Sequence, residues 1–198
     1  MTTAHLYTTL DSPIGELLLV GDGQALHRLH MQDAGQRVAI DPSWECCEEA
    51  FADVCGQLLE YFDGARREFD VQLVLGGNPF ELRVWEALCE IPYGETVSYG
   101  QIAEAIGQTG AARAVGLANS RNPIAVVVPC HRVIGANRTL TGYGGGLERK
   151  RLLLELEAGV LSLPLTRAPG RRRLRATLRS DPPPPPAAGT TAATTGRR

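Results

Sequence analysis

The sequence predicts an α+β fold in two units, followed by a tail that cannot build a core. Three observations carry that expectation. Residues 6–31 alternate short apolar runs with turn signals, as a meander of strands does. After Gly76-Gly77 the punctuation changes to helix starts and stops, with two short helices joined by a glycine-containing turn. Beyond residue 161 the chain is dominated by Arg, Pro, Ala and Thr, with prolines from Pro182 to Pro186, a composition that buries no apolar surface and is expected to be disordered. The expected divisions are therefore 1–77, 78–161 and 162–198.

In the first unit, Asp11-Ser12-Pro13-Ile14-Gly15 reads as a turn, Glu16 to Val20 as an apolar strand and Gly21-Asp22-Gly23 as a hairpin. The next strand alternates Leu26, Arg28 and His30 with His27, Leu29 and Met31. Its two histidines fall on opposite faces and lack a third ligand, so no metal is expected. Residues 33–47 read as loop. Phe51, Val54, Cys55, Leu58, Leu59 and Phe62 recur at helical spacing and predict a helix over 48–62, with Gly64 as its C-terminal cap. Asp70 to Leu75 predicts a closing strand.

In the second unit, Asn78 is placed as an N-cap, Pro79 as the first helical residue and Glu81 as the partner of a capping box. Phe80, Val84, Leu88 and Ile91 mark the buried face of that helix, which ends at Pro92-Tyr93-Gly94. Ser98 with Gln101 repeats the capping box and starts a helix over 99–106, stopped by Gly107. A third helix follows over 111–118. Ala111, Ala112, Ala114, Gly116 and Ala118 leave it almost bare, with Arg113 its one long polar side chain. A tightly packed helix crossing and a helix whose backbone must approach a partner both fit. A final helix spans 147–158.

Between the third and final helices lies Asn122-Pro123-Ile124-Ala125-Val126-Val127-Val128-Pro129-Cys130-His131-Arg132-Val133. Its apolar run predicts a strand buried on both faces, and Pro129 stops the ladder. A thiol, an imidazole and a guanidinium follow directly. A thiol attacks as thiolate, and cationic or hydrogen-bonding neighbours lower its pKa from about 8.5. By spacing alone Cys130 reads equally as a nucleophile or as a small core residue.

No apolar run approaches the roughly 20 residues of a membrane span, and Met1-Thr2-Thr3-Ala4-His5 has no signal-peptide pattern. Five cysteines without a Cys-x-x-Cys pair indicate neither a disulfide framework nor a zinc ribbon. A reducing cytoplasm fits. The net charge of −2 conceals a gradient, from −9 over residues 1–77 through zero over 78–160 to +7 from Arg167 onward. Charge alone does not point to nucleic acid.

The motifs do. Pro129-Cys130-His131-Arg132-Val133 resembles the active-site signature of the O6-alkylguanine-DNA alkyltransferases. Ile91 to Tyr99, Ala112-Arg113-Ala114-Val115-Gly116, Asn122-Pro123 and Thr141-Gly142-Tyr143-Gly144-Gly145-Gly146 resemble the same family in its order, from about Pro79 to Glu157. The resemblance implies a ribonuclease-H-like N-terminal domain and a winged helix-turn-helix domain carrying the active site. It implies repair by irreversible transfer of an alkyl group from O6-alkylguanine, with O4-alkylthymine a second lesion, onto Cys130. The protein would act once, without a cofactor, as a monomer on double-stranded DNA entered through the minor groove without sequence preference. Flipping the base out of the stack costs a few kcal/mol.

Roles follow by the same resemblance. Cys130 is the acceptor, His131 its base through a bridging water, and Glu157 the carboxylate that orients His131. Asn122 is the hinge between recognition helix and active site. Tyr143 donates to the leaving oxygen, Val133 lies against the base edge, and Lys150 stands nearby. Gly144 and Gly145 wall the pocket, and their lack of side chains suggests room; some relatives carry a small polar residue where Gly144 stands. Arg113 enters the stack, Tyr99 presses on the adjacent phosphate, and Gly100, Ala112, Ala114 and Gly116 line the DNA contact.

Overall fold

The computed structural model describes residues 5–32 and 37–159. The expected tail therefore lies outside the described residues. The turns at Gly15 and Gly23, both at positive φ, fold the first strands back on one another. They give β1 (Leu6–Leu10), β2 (Leu17–Gly21) and β3 (Leu26–Met31), paired antiparallel in succession. A two-residue strand, β4 (Glu45–Cys46), adds in parallel to β1, so the order is β3-β2-β1-β4. Residues 33–47 are therefore not loop throughout.

A 3-10 turn over Glu49–Phe51 leads into α1 (Ala52–Phe62), which starts later than the apolar spacing predicts. Leu58, Tyr61 and Phe62 of α1 are buried with Leu17 and Leu19 of β2 in one core. Gly64 sits at φ 74° and donates its N–H to Tyr61 O, as a C-terminal cap does. Residues 70–75 do not form the expected strand. They meet the sheet at a single bridge, Leu26 to Leu73, held by Leu26 N–H to Gln72 O and Val74 N–H to Leu26 O.

In the second unit both capping boxes form. Asn78 accepts from the N–H groups of Phe80 and Glu81 at 3.0 Å, and the Glu81 carboxylate accepts from Asn78 N–H, starting α2 (Pro79–Cys89). Ser98 and Gln101 do the same for α3 (Tyr99–Ala105), which ends where Gly107 turns at φ 71°. α4 (Ala112–Ser120) runs two residues beyond the expected end, and the Trp85 indole pins it to α2 by donating to Ala118 O at 2.9 Å. A short parallel pair, β5 (Val97–Ser98) with β6 (Val133–Ile134), ties the start of α3 to the segment after Cys130. α5 (Leu147–Glu157) closes the unit.

The two units share one core, in which Leu29 and Phe51 join Val84, Val128 and Leu153. The edge of β3 is divided between two segments. Leu26 takes residues 72–74, and Leu29 takes the start of the segment that leads to Cys130, through Leu29 N–H to Pro123 O and Ala125 N–H to Leu29 O.

The expected strand over Ile124–Val128 stops there. After the bridge at Ile124 the chain coils: Val127 N–H bonds Ala125 O, Val128 N–H bonds Ile124 O, and Val126 adopts φ 71°. A β-branched residue in the left-handed region is rare. It is held here because the side chains of Ile124, Val126 and Val128 are all buried. β-branched composition favours strand, but the buried contacts of a turn win.

Candidate active site

Asn122 organises the turn that delivers the thiol. Pro123 keeps Asn122 out of helical angles, and its amide closes the loop from inside. Asn122 Oδ1 accepts from Ile124 N–H at 3.0 Å, and Nδ2 donates to Val128 O at 2.8 Å. Cys130, His131 and Arg132 then form a 3-10 turn directly after Pro129, where the ladder was expected to stop. Asn119 of α4 donates to the Cys130 carbonyl at 3.2 Å, a support that the sequence reading missed. The segment from α4 to the thiol is thus held through two asparagines.

Cys130 is 4% exposed. Burial pushes its thiol above the ordinary value, and the Asn122 amide, the Lys150 charge and the Tyr143 hydroxyl draw it back in part. The Tyr143 hydroxyl is buried beside the sulfur but is in good hydrogen-bond geometry with no described residue. Val133, fully buried, continues the chain into β6. The Lys150 ammonium donates to Val133 O at 2.6 Å and to Thr141 O at 2.9 Å. Lys150 therefore clamps β6 to the glycine loop, and its charge lies on the thiol side of the pocket.

His131 is 0% exposed. Its Nε2 lies 2.8 Å from Glu157 Oε1, while Nδ1 has no partner among the described residues. Burial lowers the imidazole below its ordinary pKa, although Glu157 pulls the other way. Burial also opposes ionisation of Glu157, but bonds from His131 and Arg132 outweigh it and hold that carboxyl well below the carboxylate range. A carboxylate that stays ionised must receive a proton from Nε2, which leaves the Nδ1 lone pair free to act as base. Arg132 gives Glu157 two bonds of 2.9 Å, and Gly94 N–H gives a third contact at 3.1 Å. Tyr61 of α1 donates to Oε1 at 2.7 Å. Neither Arg132 nor Tyr61 stood out in the sequence as part of this group.

The glycine loop differs from its expected character. A Cβ on Gly145 would collide with the Met31 sulfur and press on the Tyr143 ring, so Gly145 is small because packing leaves no space. A Cβ on Gly144 would meet only Ser120 O, at 3.8 Å. Room in the pocket wall is a property of Gly144, not of Gly145.

On the outer surface, Arg113, Ala114, Leu117, Ser120 and Arg121 form one exposed side of α4, with Leu117 53% exposed. Ala112 is half-buried at its start. The Tyr99 ring lies over Gly116 and its hydroxyl donates to Thr141 O at 3.2 Å, with Gly100 beside it on α3. The exposed side of α4 and the buried thiol are thus separate, connected by Asn119, Asn122 and β5–β6. No group of three or more metal-ligating side chains occurs among the described residues, and no described helix is long and apolar enough to cross a membrane.

Comparison with known proteins adds an independent line. The family model described as 6-O-methylguanine DNA methyltransferase, ribonuclease-like domain, matches residues 5–75, and that described as 6-O-methylguanine DNA methyltransferase, DNA binding domain, matches residues 79–159. A methylated-DNA–protein-cysteine methyltransferase of Mycobacterium tuberculosis is 55% identical over 163 residues, 81% of this chain and 96% of that protein. One from Methanosarcina acetivorans is 51% identical over 151 residues, covering 76% and 97%. The crystal structure of M. tuberculosis OGT in complex with DNA superposes with a TM-score of 0.72 at 56% identity, over 78% of this chain and 93% of that one.

Proposed function

The chain belongs to the 6-O-methylguanine DNA methyltransferase family, and from that premise we propose that it repairs alkylated DNA by taking the alkyl group onto its own Cys130. The observation that carries this reading is the buried series Cys130, His131, Glu157, with the Tyr143 hydroxyl beside the sulfur. Relatives named for this activity, and one solved with DNA, support it.

The steps follow from the atoms. The His131 Nδ1 takes the thiol proton through one bridging water, which suits a buried nitrogen that lacks a partner among the described residues. The thiolate attacks the alkyl carbon; the S–C bond forms as the O6–C bond breaks. Tyr143 donates to O6 as charge develops there, and the proton taken from Cys130 returns through His131 so that neutral guanine leaves. The thioether is stable, so each molecule acts once and needs no cofactor. Lys150 stabilises the thiolate by its charge while holding Val133 and Thr141 in place.

DNA reaches the site by the exposed side of α4. Exposed Ala114, with the half-buried Ala112 and Gly116 beside it, lets the helix backbone approach a minor groove, and Arg113 is exposed and able to take the place of a flipped base. Tyr99 stands at the edge to press on a phosphate, and Gly100 leaves it space. Such contacts read no base edge, so binding is without sequence preference. O6-alkylguanine is the first substrate and O4-alkylthymine the second, for a monomer working in the cytoplasm. Residues 1–77 support the site, residues 78–161 hold it, and 162–198 are accessory.

Mass spectrometry after mixing with an O6-methylguanine duplex tests the reading. One methyl adduct on Cys130 per molecule is expected, and none in Cys130→Ser. Methyl release with turnover, or an adduct elsewhere, would overturn it.

A further inference from the structure

The first unit is not a passive support, because one of its side chains enters the proton relay. Tyr61 sits on the last turn of α1, with its ring between Phe62, Phe69 and Tyr93 at centroid distances of 5.5, 5.3 and 6.1 Å. It is fully buried, and its hydroxyl crosses to the second unit to donate to Glu157 Oε1 at 2.7 Å. The same oxygen faces His131 Nε2 at 2.8 Å, and the hydroxyl is itself 3.5 Å from Nε2. With Arg132 Nη2 at 2.9 Å, three donors converge on one carboxylate oxygen, and Tyr61 is the one that comes from the first unit.

We propose that Tyr61 is a positioning residue that fixes Glu157 Oε1 against His131 and so couples the sheet-bearing unit to methyl transfer. This rests on the proposed reaction at Cys130. Its physical basis is competition for one acceptor. Each donor on Oε1 withdraws charge from it and weakens its hold on an imidazolium. The phenol also sets where Oε1 lies, since its ring is locked by three aromatic neighbours. Burial and the Glu157 charge push the Tyr61 hydroxyl well above its ordinary pKa, so it stays a donor through the working range.

The other charged or titratable groups around the relay are few. Cys130 and Arg132 flank His131 on its own turn, α5 brings Lys150 and Glu157, the glycine loop brings Tyr143, and the turn after α2 brings Tyr93. Arg67 also stands over the Tyr93 ring, 5.5 Å from its centroid. Among these, Arg132 and Tyr61 donate side-chain bonds to Glu157 besides His131. Arg132 spans both oxygens. Tyr61 acts on Oε1 alone, which makes it the finer control.

Tyr61→Phe isolates the hydroxyl, because the ring stays. Transfer from an O6-methylguanine duplex should slow by about tenfold, the weight of one hydrogen bond to a charged group. The acid limb of the rate–pH profile should move to higher pH, because Oε1 freed of the phenol holds the imidazolium more firmly. An NMR titration of the His131 ring should move in the same sense, independently of any reaction. Leu58→Ala serves as the control: it loosens the same helix at a buried residue, keeps the three aromatic neighbours of Tyr61, and should lower Tm while leaving rate, pH profile and titration at wild-type values. Identical pH profiles and His131 titrations for wild type and Tyr61→Phe would overturn the proposal, as would Leu58→Ala reproducing every effect of Tyr61→Phe. A wild-type protein that forms no Cys130 adduct would overturn the functional reading instead, and the NMR titration would still decide the role of Tyr61.

Discussion

Arg132 and Glu157 form a two-point ion pair, Nε to Oε2 and Nη2 to Oε1, each at 2.9 Å, inside the protein. A third nitrogen, Nη1, donates to Ile91 O at 2.5 Å, at the end of the second unit's first helix. The pair anchors the carboxylate that faces His131 and also joins α5, the active-site turn and the chain after α2. A buried pair contributes little over an apolar replacement of both partners, but removal of one partner strands a charge.

Arg132→Leu should therefore cost about 3 kcal/mol of stability or more. The loss should be largest at neutral pH and shrink as Glu157 protonates in acid. The sign follows from Glu157: its folded pKa lies below the unfolded one, so its contribution is complete above the ordinary carboxylate range and is lost as pH falls. Urea unfolding at pH 7 and pH 4 measures both. Equal losses at the two pH values would show that the pair is not the source.

His131→Ala or Glu157→Gln should slow transfer by roughly 100-fold, the weight of a general base, and shift the rate profile toward higher pH. Neither should change the single site of modification. Adduct formation in rapid-quench experiments across pH 6 to 9 provides the measurement, and a wild-type rate throughout would remove that residue from the relay.

The wild-type rate should hold from pH 8 down to at least pH 6.5. Burial lowers the His131 pKa below 6.5, so the imidazole remains neutral and able to accept a proton where a free one is half charged. The thiol, raised by burial, is protonated over the same range and needs that base. A rate that halves near pH 7 would mean that His131 is more basic than its surroundings indicate.

Much of this was legible in the sequence, because the informative residues act locally. Asn78 with Glu81 and Ser98 with Gln101 are caps readable at a spacing of three, and both form. The Pro-Cys-His-Arg-Val run identifies its family without any structure. What escaped depends on contacts far apart in the chain. Tyr61 falls outside the apolar stripe by which α1 was recognised, and 96 residues separate it from Glu157. Arg132 lies in plain view beside His131, but nothing local in the sequence links it to a carboxylate 25 residues away. Val126 misleads because β-branched residues signal strand, and only tertiary packing holds one at φ 71°. Gly145 misleads differently, since an absent side chain reads the same whether it leaves space or yields it to Met31.

Arg113→Ala should separate binding from chemistry. Arg113 is exposed on α4 and enters none of the relay contacts, so Tm and reaction with free O6-benzylguanine should stay at wild-type values. Repair of a duplex should slow, because nothing then fills the stack when the base leaves. If both substrates slow equally, Arg113 acts on the pocket and not on the DNA.

The last prediction concerns charge beyond the described residues. From Arg167 onward the sequence holds eight arginines against Asp181, while every residue assigned a role lies between Tyr99 and Glu157, apart from Tyr61. A chain ending at Leu161 should therefore repair short duplexes at close to the full-length rate in moderate salt. Non-specific duplex binding at low salt should be weaker, because fewer counterions are released. The slope of log K against log salt should fall by about 0.9 for each phosphate contact that is lost. Fluorescence anisotropy over a salt series measures both slopes. Identical slopes would deny the arginines a part in DNA binding, whereas a shortened chain that fails to fold would show that the second unit extends past residue 161.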